Sequence, residues 1–147
     1  MKFTCQVDIN LPRAQVVKLW DDPENLVHWQ DNFEKFESIS GPLGQAGSIS
    51  KMTYKQGNGK MILHETILEN TLPDLFRGRY VHEKMTNTMS NRFEELGENK
   101  TRWTADLDYE QFNGLMMKIM AKLFAGKFKS QTQKWLDQFK AFAEGAS

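Results

Sequence analysis

Tyr80 and His82 stand two residues apart, so on a strand both side chains leave the same face. A tyrosine–histidine pair in an apolar pocket could polarise a carbonyl and move a proton, which is general acid–base chemistry. The opposing reading makes Tyr80 core and His82 a structural hydrogen-bonding group near the sheet end. Glu65 is the third group of interest. Facing inward it is a buried carboxyl with a raised pKa; facing outward it is a cross-strand partner, and exposure is the default for glutamate. Other combinations fail on spacing. His64-Glu65 and His82-Glu83 are adjacent in strands and point to opposite faces. The three histidines, His28, His64 and His82, lie in separate segments, with no HExxH and no paired cysteine. No metal site is expected from that pattern, and no cofactor. Cys5 sits on the apolar face of the first strand, the setting of an inert thiol, and no serine stands in a GxSxG elbow.

These residues need strands to hold them. Residues 2–10 place Phe3, Cys5, Val7 and Ile9 on one face, the period of a half-buried strand. Asn10 offers a helix cap and Pro12 suits a first turn, followed by Val16, Val17 and Trp20 on one apolar face. Asp22-Pro23 restarts the pattern for a second short helix burying Leu26 and Trp29. Six strands follow, at about 33–40, 47–56, 60–69, 74–84, 87–96 and 100–110. Between them lie Gly41-Pro42-Leu43-Gly44, Gly57-Asn58-Gly59, Leu72-Pro73-Asp74 and Gly97-Glu98-Asn99, with Met85-Thr86-Asn87 as a weaker break. Short, regular loops predict an antiparallel meander. No linker, repeat or low-complexity segment interrupts it.

The chain ends on an amphipathic segment that reads as one long helix from about 114 to 144. Met117, Met120, Phe124, Phe128, Gln131 and Trp135 recur at three- and four-residue steps, and Leu136, Phe139 and Phe142 extend the stripe. Gly126 is a local weak point. Lys118, Lys122, Lys127, Lys129, Lys134 and Lys140 face only Asp137 and Glu144. Such a basic amphipathic helix is either a solvated outer face or a membrane-surface element.

At 147 residues the chain fits one domain, 1–147, with room for a real core. Lys plus Arg and Asp plus Glu are 19 each; the zero net charge argues against a general nucleic-acid binder. A single cysteine, no apolar leader and no run of about 20 apolar residues point to a cytoplasmic protein without membrane insertion, though transient membrane contact stays open.

Strand, two short helices, six strands, long helix is a specific order. An antiparallel sheet with one long helix must curve around it to bury both apolar faces. On this layout the sequence resembles the START/Bet v 1-like (SRPBCC) superfamily, especially its bacterial polyketide cyclase/dehydrase and lipid-transport branch. The resemblance covers essentially the whole chain. It is carried by the opening strand with Leu11-Pro12-Arg13-Ala14-Gln15-Val16-Val17-Lys18-Leu19-Trp20. It continues in Asp22-Pro23-Glu24-Asn25-Leu26-Val27-His28-Trp29, Gly47, Glu65 with Ile67 before Leu72-Pro73, and the closing helix. The implied fold is α+β helix-grip: a curved antiparallel seven-stranded sheet around a long C-terminal helix, with two short helices between strands 1 and 2.

The resemblance also implies a hollow between sheet and helix. Strand alternation nominates its wall: Met52 and Tyr54; Phe76, Gly78, Tyr80 and His82; Met89, Asn91 and Phe93; Trp103, Ala105, Leu107 and Tyr109. In 60–69, Met61, Leu63, Glu65 and Ile67 compete with Ile62, His64, Thr66 and Leu68. The expected ligand contacts are Met52, Tyr54, Leu63, Phe76, Tyr80, His82, Asn91, Phe93, Trp103, Met117, Met120 and Phe124, with Tyr54, Tyr80 and His82 orienting a polar head. Three functions compete. The first is binding or transport of a hydrophobic lipid, quinone or polyketide-like compound. The second is a cyclase/dehydratase-type enzyme using Tyr80 and His82 in the same hollow. The third is an interaction module like the Hsp90-cochaperone branch, using the outer sheet face.

Overall fold

Seven strands carry the alternating segments: β1 Lys2–Ile9, β2 Phe33–Ser40, β3 Ile49–Gln56, β4 Gly59–Asn70, β5 Leu75–Val81, β6 Met85–Gly97 and β7 Lys100–Phe112. They come from a computed structural model that describes residues 1–146. Every pairing is antiparallel, in the order β1-β7-β6-β5-β4-β3-β2. Strands β2 to β7 form the expected meander, and β1 returns to lie beside β7. One boundary moves. The β5–β6 turn is His82-Glu83-Lys84, and Met85 already belongs to β6. The His82 N–H donates to the Met85 carbonyl at 2.9 Å, and the Asn113 side chain clips the turn by donating to the Glu83 carbonyl at 2.9 Å. Those bonds hold the reversal three residues earlier than the local sequence signals it.

Two short helices cross from β1 to β2. α1 spans Arg13–Trp20 and α2 spans Leu26–Trp29, preceded by a 3₁₀ turn at Pro23–Asn25. Asp22 caps that turn as expected, its carboxylate accepting from the Glu24 N–H at 3.0 Å. Asn10 does not cap α1. Its own N–H donates to the Glu144 carboxylate at 2.9 Å, tying the end of β1 to the C-terminal helix, and Pro12 precedes α1 without a side-chain cap.

The C-terminal segment is broken. α3 is Leu115–Leu123 and α4 is Ala125–Gly145, separated by Phe124 at φ −121° and ψ 26°. The expected single helix from 114 to 144 is corrected to this pair. The break falls two residues before Gly126, and the Lys127 ammonium sits 4.6 Å from the centre of the Phe124 ring. α4 is the long helix of the layout; it packs on β1 and α2.

The core gathers on Trp103, fully buried on β7. Trp29 and Phe139 meet its ring edge-on at 5.8 and 5.4 Å, and Phe93 stacks on it at 6.0 Å. Rings in these geometries add about 0.5–1.5 kcal/mol a pair beyond area burial. The cluster therefore locks α2, α4 and the sheet at one end of the molecule. Cys5 is buried there too, its thiol donating to the Lys129 carbonyl at 3.7 Å. Burial pushes that thiol above its ordinary pKa, as an inert cysteine requires. This α+β architecture is the helix-grip layout.

Candidate functional site

Register assembles the site. Ser50 pairs with Glu65, Glu65 with Tyr80, Tyr80 with Asn87, and Asn87 with Tyr109. Residues directly opposite on paired strands share a face. One polar row therefore crosses five strands, β3 to β7, on the inner side of the sheet. Apolar rows flank it: Met52 opposite Leu63 on one side, and Ile67, Gly78, Met89 and Leu107 in line on the other. The ambiguous β4 resolves to Met61, Leu63, Glu65 and Ile67 inward, while Ile62 and His64 are exposed.

Above this floor a pocket of about 510 Å³ opens between the sheet, α2 and α4. Its roof is Phe128, Gln131, Thr132, Trp135 and Leu136 of α4. Its end wall includes Trp20, Asp21, Leu26 and Trp29. All five residues of the polar row line it.

Glu65 and Tyr80 are the chemical centre of the row. Glu65 is 9% exposed, and burial raises its carboxyl above the usual range; the Tyr80 hydrogen bond opposes that rise, and the charge of Asp21 adds to it. Tyr80 is raised well above an ordinary phenol by burial, then by the neighbouring Glu65 carboxylate that its hydroxyl hydrogen-bonds. Gly78 makes this possible. A Cβ there would sit 2.9 Å from the Tyr80 hydroxyl oxygen, so the ring lies over space that any side chain would fill. Burial alone pushes Tyr109, at the end of the row, up to about 12.

The expected wall residues divide into groups. Met52, Tyr54, Leu63, Phe76, Tyr80, His82, Asn91 and Trp103 line the pocket. Several already have partners. The Tyr54 hydroxyl donates to Gln30 Oε1 at 2.7 Å, and its ring stacks on Trp135 at 5.6 Å. Burial, then Glu65, also raise its pKa. Asn91 accepts from the Trp103 indole at 3.0 Å and donates to the Phe76 carbonyl at 3.3 Å. It braces the floor. His82 lies just past β5, and its Nδ1 accepts from the Lys84 N–H at 3.2 Å. The Tyr80–His82 pair is thus not assembled as a working unit: Tyr80 engages Glu65, and His82 organises the turn. Phe93 packs between Trp20 and Trp103 behind the wall. Met117, Met120 and Phe124 stand off the pocket because α3 turns away at Phe124.

Sequence reasoning missed Ser50, Asn87 and the α1–α2 tryptophans as wall residues, and left Glu65 open. Alternation names faces, but only register sets five polar residues in line. A local signal did exist for Glu65, since Met61, Leu63 and Ile67 share its parity.

No known family's sequence profile matches the chain. No curated protein matches it either. Solved structures do. The chain is similar to an aromatase/cyclase, Zhui, from Streptomyces sp. R1128, with a TM-score of 0.81 at 11% identity, covering 98% of this chain and 93% of that one. It is similar to the protein TTHA0849 from Thermus thermophilus, with a TM-score of 0.76 at 19% identity over 100% and 99% of the two chains. It is similar to a START superfamily protein from Mycobacterium smegmatis, with a TM-score of 0.66 at 12% identity over 93% and 97%. At such identities the likeness shows the fold, and the fold is that of the START/Bet v 1-like structures.

Proposed function

We propose that this protein binds, and possesses the architecture to carry, a hydrophobic small molecule between its sheet and α4, with lipids, quinones and polyketide-like compounds as the candidate classes. The observation that supports it is the pocket itself: about 510 Å³, with apolar rows on either side of one polar row. Small-molecule sites run from about 300 to 1,000 Å³ and combine an apolar lining with a few placed polar groups. Burying the ligand's apolar surface drives binding at roughly 25 cal/mol per Å². The polar row orients the head.

Native mass spectrometry of the freshly purified protein is the test. An added mass that disappears on denaturation and is identified as one of those compounds supports the reading. A bare mass, with no thermal shift across a panel of hydrophobic ligands, overturns it.

A cyclase-type reaction in the same pocket is the second reading, and the aromatase/cyclase neighbour supports it by fold. In this chain the acid–base pair available to such a reaction is Glu65 with Tyr80, rather than Tyr80 with His82. Turnover lost in Glu65→Gln with binding retained would favour catalysis; an unaltered ligand recovered from the protein would favour carriage.

α3 supports contact with a membrane surface during exchange. Leu115, Met116 and Leu123 are more than two-thirds exposed, and Ile119 and Met120 are exposed beside them. Between Glu110 and Asp137 the chain carries five lysines and no acidic residue. An exposed apolar helix face flanked by lysines matches an anionic bilayer interface. No described helix is long and apolar enough to cross a membrane. Flotation with anionic phosphatidylglycerol vesicles should recover the protein, and zwitterionic phosphatidylcholine vesicles should recover less. Recovery with neither would end this reading.

A further inference from the structure

The pocket has a charge character as well as an apolar one. All four tryptophans of the chain and all three tyrosines line it. Of the 19 Lys and Arg residues, none lines it. Two carboxyl groups do: Glu65 in the floor and Asp21 at the end wall. Among the described residues no ion pair joins either of them to a lysine or arginine, although seven such pairs stud the rest of the molecule.

A site for fatty acids or other anionic ligands needs a cation or a cluster of free donors at the head position. This wall holds no lysine or arginine; its one histidine, His82, takes the Lys84 N–H on Nδ1, and the buried indole N–H groups of Trp20 and Trp29 are its free donors. A negative head would find no lysine or arginine to pair with and would lie near the carboxyl groups of buried Glu65 and exposed Asp21. A positive head would gain twice. It would pair with the carboxylates, and it would lie against aromatic faces, whose negative centres attract cations most strongly where water is excluded.

We infer that the ligand of this pocket is an apolar compound bearing a cationic amine or quaternary ammonium head, seated against Glu65 and Asp21 and enclosed by Trp20, Trp29 and Trp135. The inference rests on the binding role proposed above and names its ligand class. The apolar body lies along the Met52–Leu63 side of the floor. An ammonium partner also supplies the counter-charge that buried Glu65 lacks.

Tryptophan fluorescence gives a direct readout, because every indole lies in the wall. The probes are phenylbutyl and dodecyl chains ending in an amine, an alcohol or a carboxylate. A phenylbutyl trimethylammonium is added, with its uncharged carbon isostere. The expected result is that amines bind about tenfold more tightly than the matched alcohols, a difference of about 1.4 kcal/mol, and carboxylates most weakly. The trimethylammonium should beat its isostere by a similar factor, which isolates charge from hydrogen bonding and needs no variant. The conservative double variant Asp21→Asn, Glu65→Gln should lose the amine preference, so that each amine binds no more tightly than its matched alcohol in that variant. Alcohols that bind as well as amines, or a preference that survives the double variant, overturn the inference and leave the binding role standing. Failure of every probe in both series overturns the two together.

Discussion

α4 and α3 are neighbours in the chain with similar apolar periodicity, yet they have opposite fates. α4 buries Leu136, Phe139 and Ala143 almost completely. Polar contacts clamp it along its length. Lys134 and the Trp135 indole both donate to Asp31, at 2.7 and 3.2 Å. Gln133 donates to the Gln6 carbonyl at 3.0 Å, and Lys140 to the Asp8 carbonyl at 2.7 Å. α3 buries only Ala121 and leaves its large apolar side chains open. The difference lies in what is beneath each helix. α4 has β1, α2 and the tryptophan cluster; α3 meets chiefly β7 and α4, and its large apolar side chains stay open. An amphipathic pattern is an offer of burial, and the sheet accepts only the part that lies over it.

The comparison can be broken most sharply at Phe139. Replacing it with alanine removes the ring that meets Trp29 and Trp103, and should cost about 3–5 kcal/mol in urea unfolding. A loss comparable to that of a surface substitution would mean that α4 is not the anchored partner described here.

Glu65→Gln is expected to come next. α4 roofs the space that desolvates Glu65, whose native pKa is raised. Between the unfolded and folded pKa values the native state holds the proton that the unfolded state has lost, so stability falls as pH rises. Glutamine removes that penalty. The variant should therefore gain stability at neutral pH, and the gain should vanish in acid. Thermal melts across pH test the sign. Stabilisation that grows on acidification would contradict a raised pKa.

Asp31 tests the clamp from the other direction. Hydrogen bonds from Lys134, then Trp135, hold its carboxyl below the ordinary range against some desolvation. Its contribution is present above the usual aspartate pKa and is lost as pH falls through the lowered native value. The group is largely in water, so Asp31→Asn should cost no more than about 1 kcal/mol near neutrality, and the cost should disappear in strong acid. A pH-independent cost would mean that the ion pair carries none of it.

The smallest effect on folding belongs to α3. Leu123→Ser, at a position 71% exposed, should change stability by less than about 0.5 kcal/mol. The same substitution should reduce recovery on phosphatidylglycerol vesicles. A destabilisation like that of Phe139→Ala would show that α3 is packed, and the contrast between the helices would fall.

Much of the scaffold could be read from local pattern. The parity of Phe3, Cys5, Val7 and Ile9, the Gly57-Asn58 turn and the Asp22-Pro23 cap all rest on interactions within a few residues. The candidate site was less legible. His82 is the neighbour of Tyr80 in sequence, and its bond to the Lys84 N–H fits the structural reading; Glu65 is the neighbour of Tyr80 across the ladder, a pairing that strand alternation alone does not name. Tyr54 and Asn91 were placed on the correct face, but Gln30 and Trp103 engage their polar atoms. Those partners lie 24 and 12 residues away, beyond any local signal.

The sequence by itself determined which residues form strands and helices, which face of each strand is apolar, and that one helical stripe must cover the sheet. The reason is that φ/ψ preference and side-chain parity are properties of a few consecutive residues. Only the tertiary structure decided that Ser50, Glu65, Tyr80, Asn87 and Tyr109 fall in one row. It alone decided that two carboxyl groups share a pocket with no lysine or arginine in its wall, and that the last amphipathic segment breaks at Phe124 with α3 left exposed. Register and helix placement depend on the sum of many distant contacts. A pattern can state that a face must be covered, but the covering residue is chosen only when the sheet has closed beneath the helix.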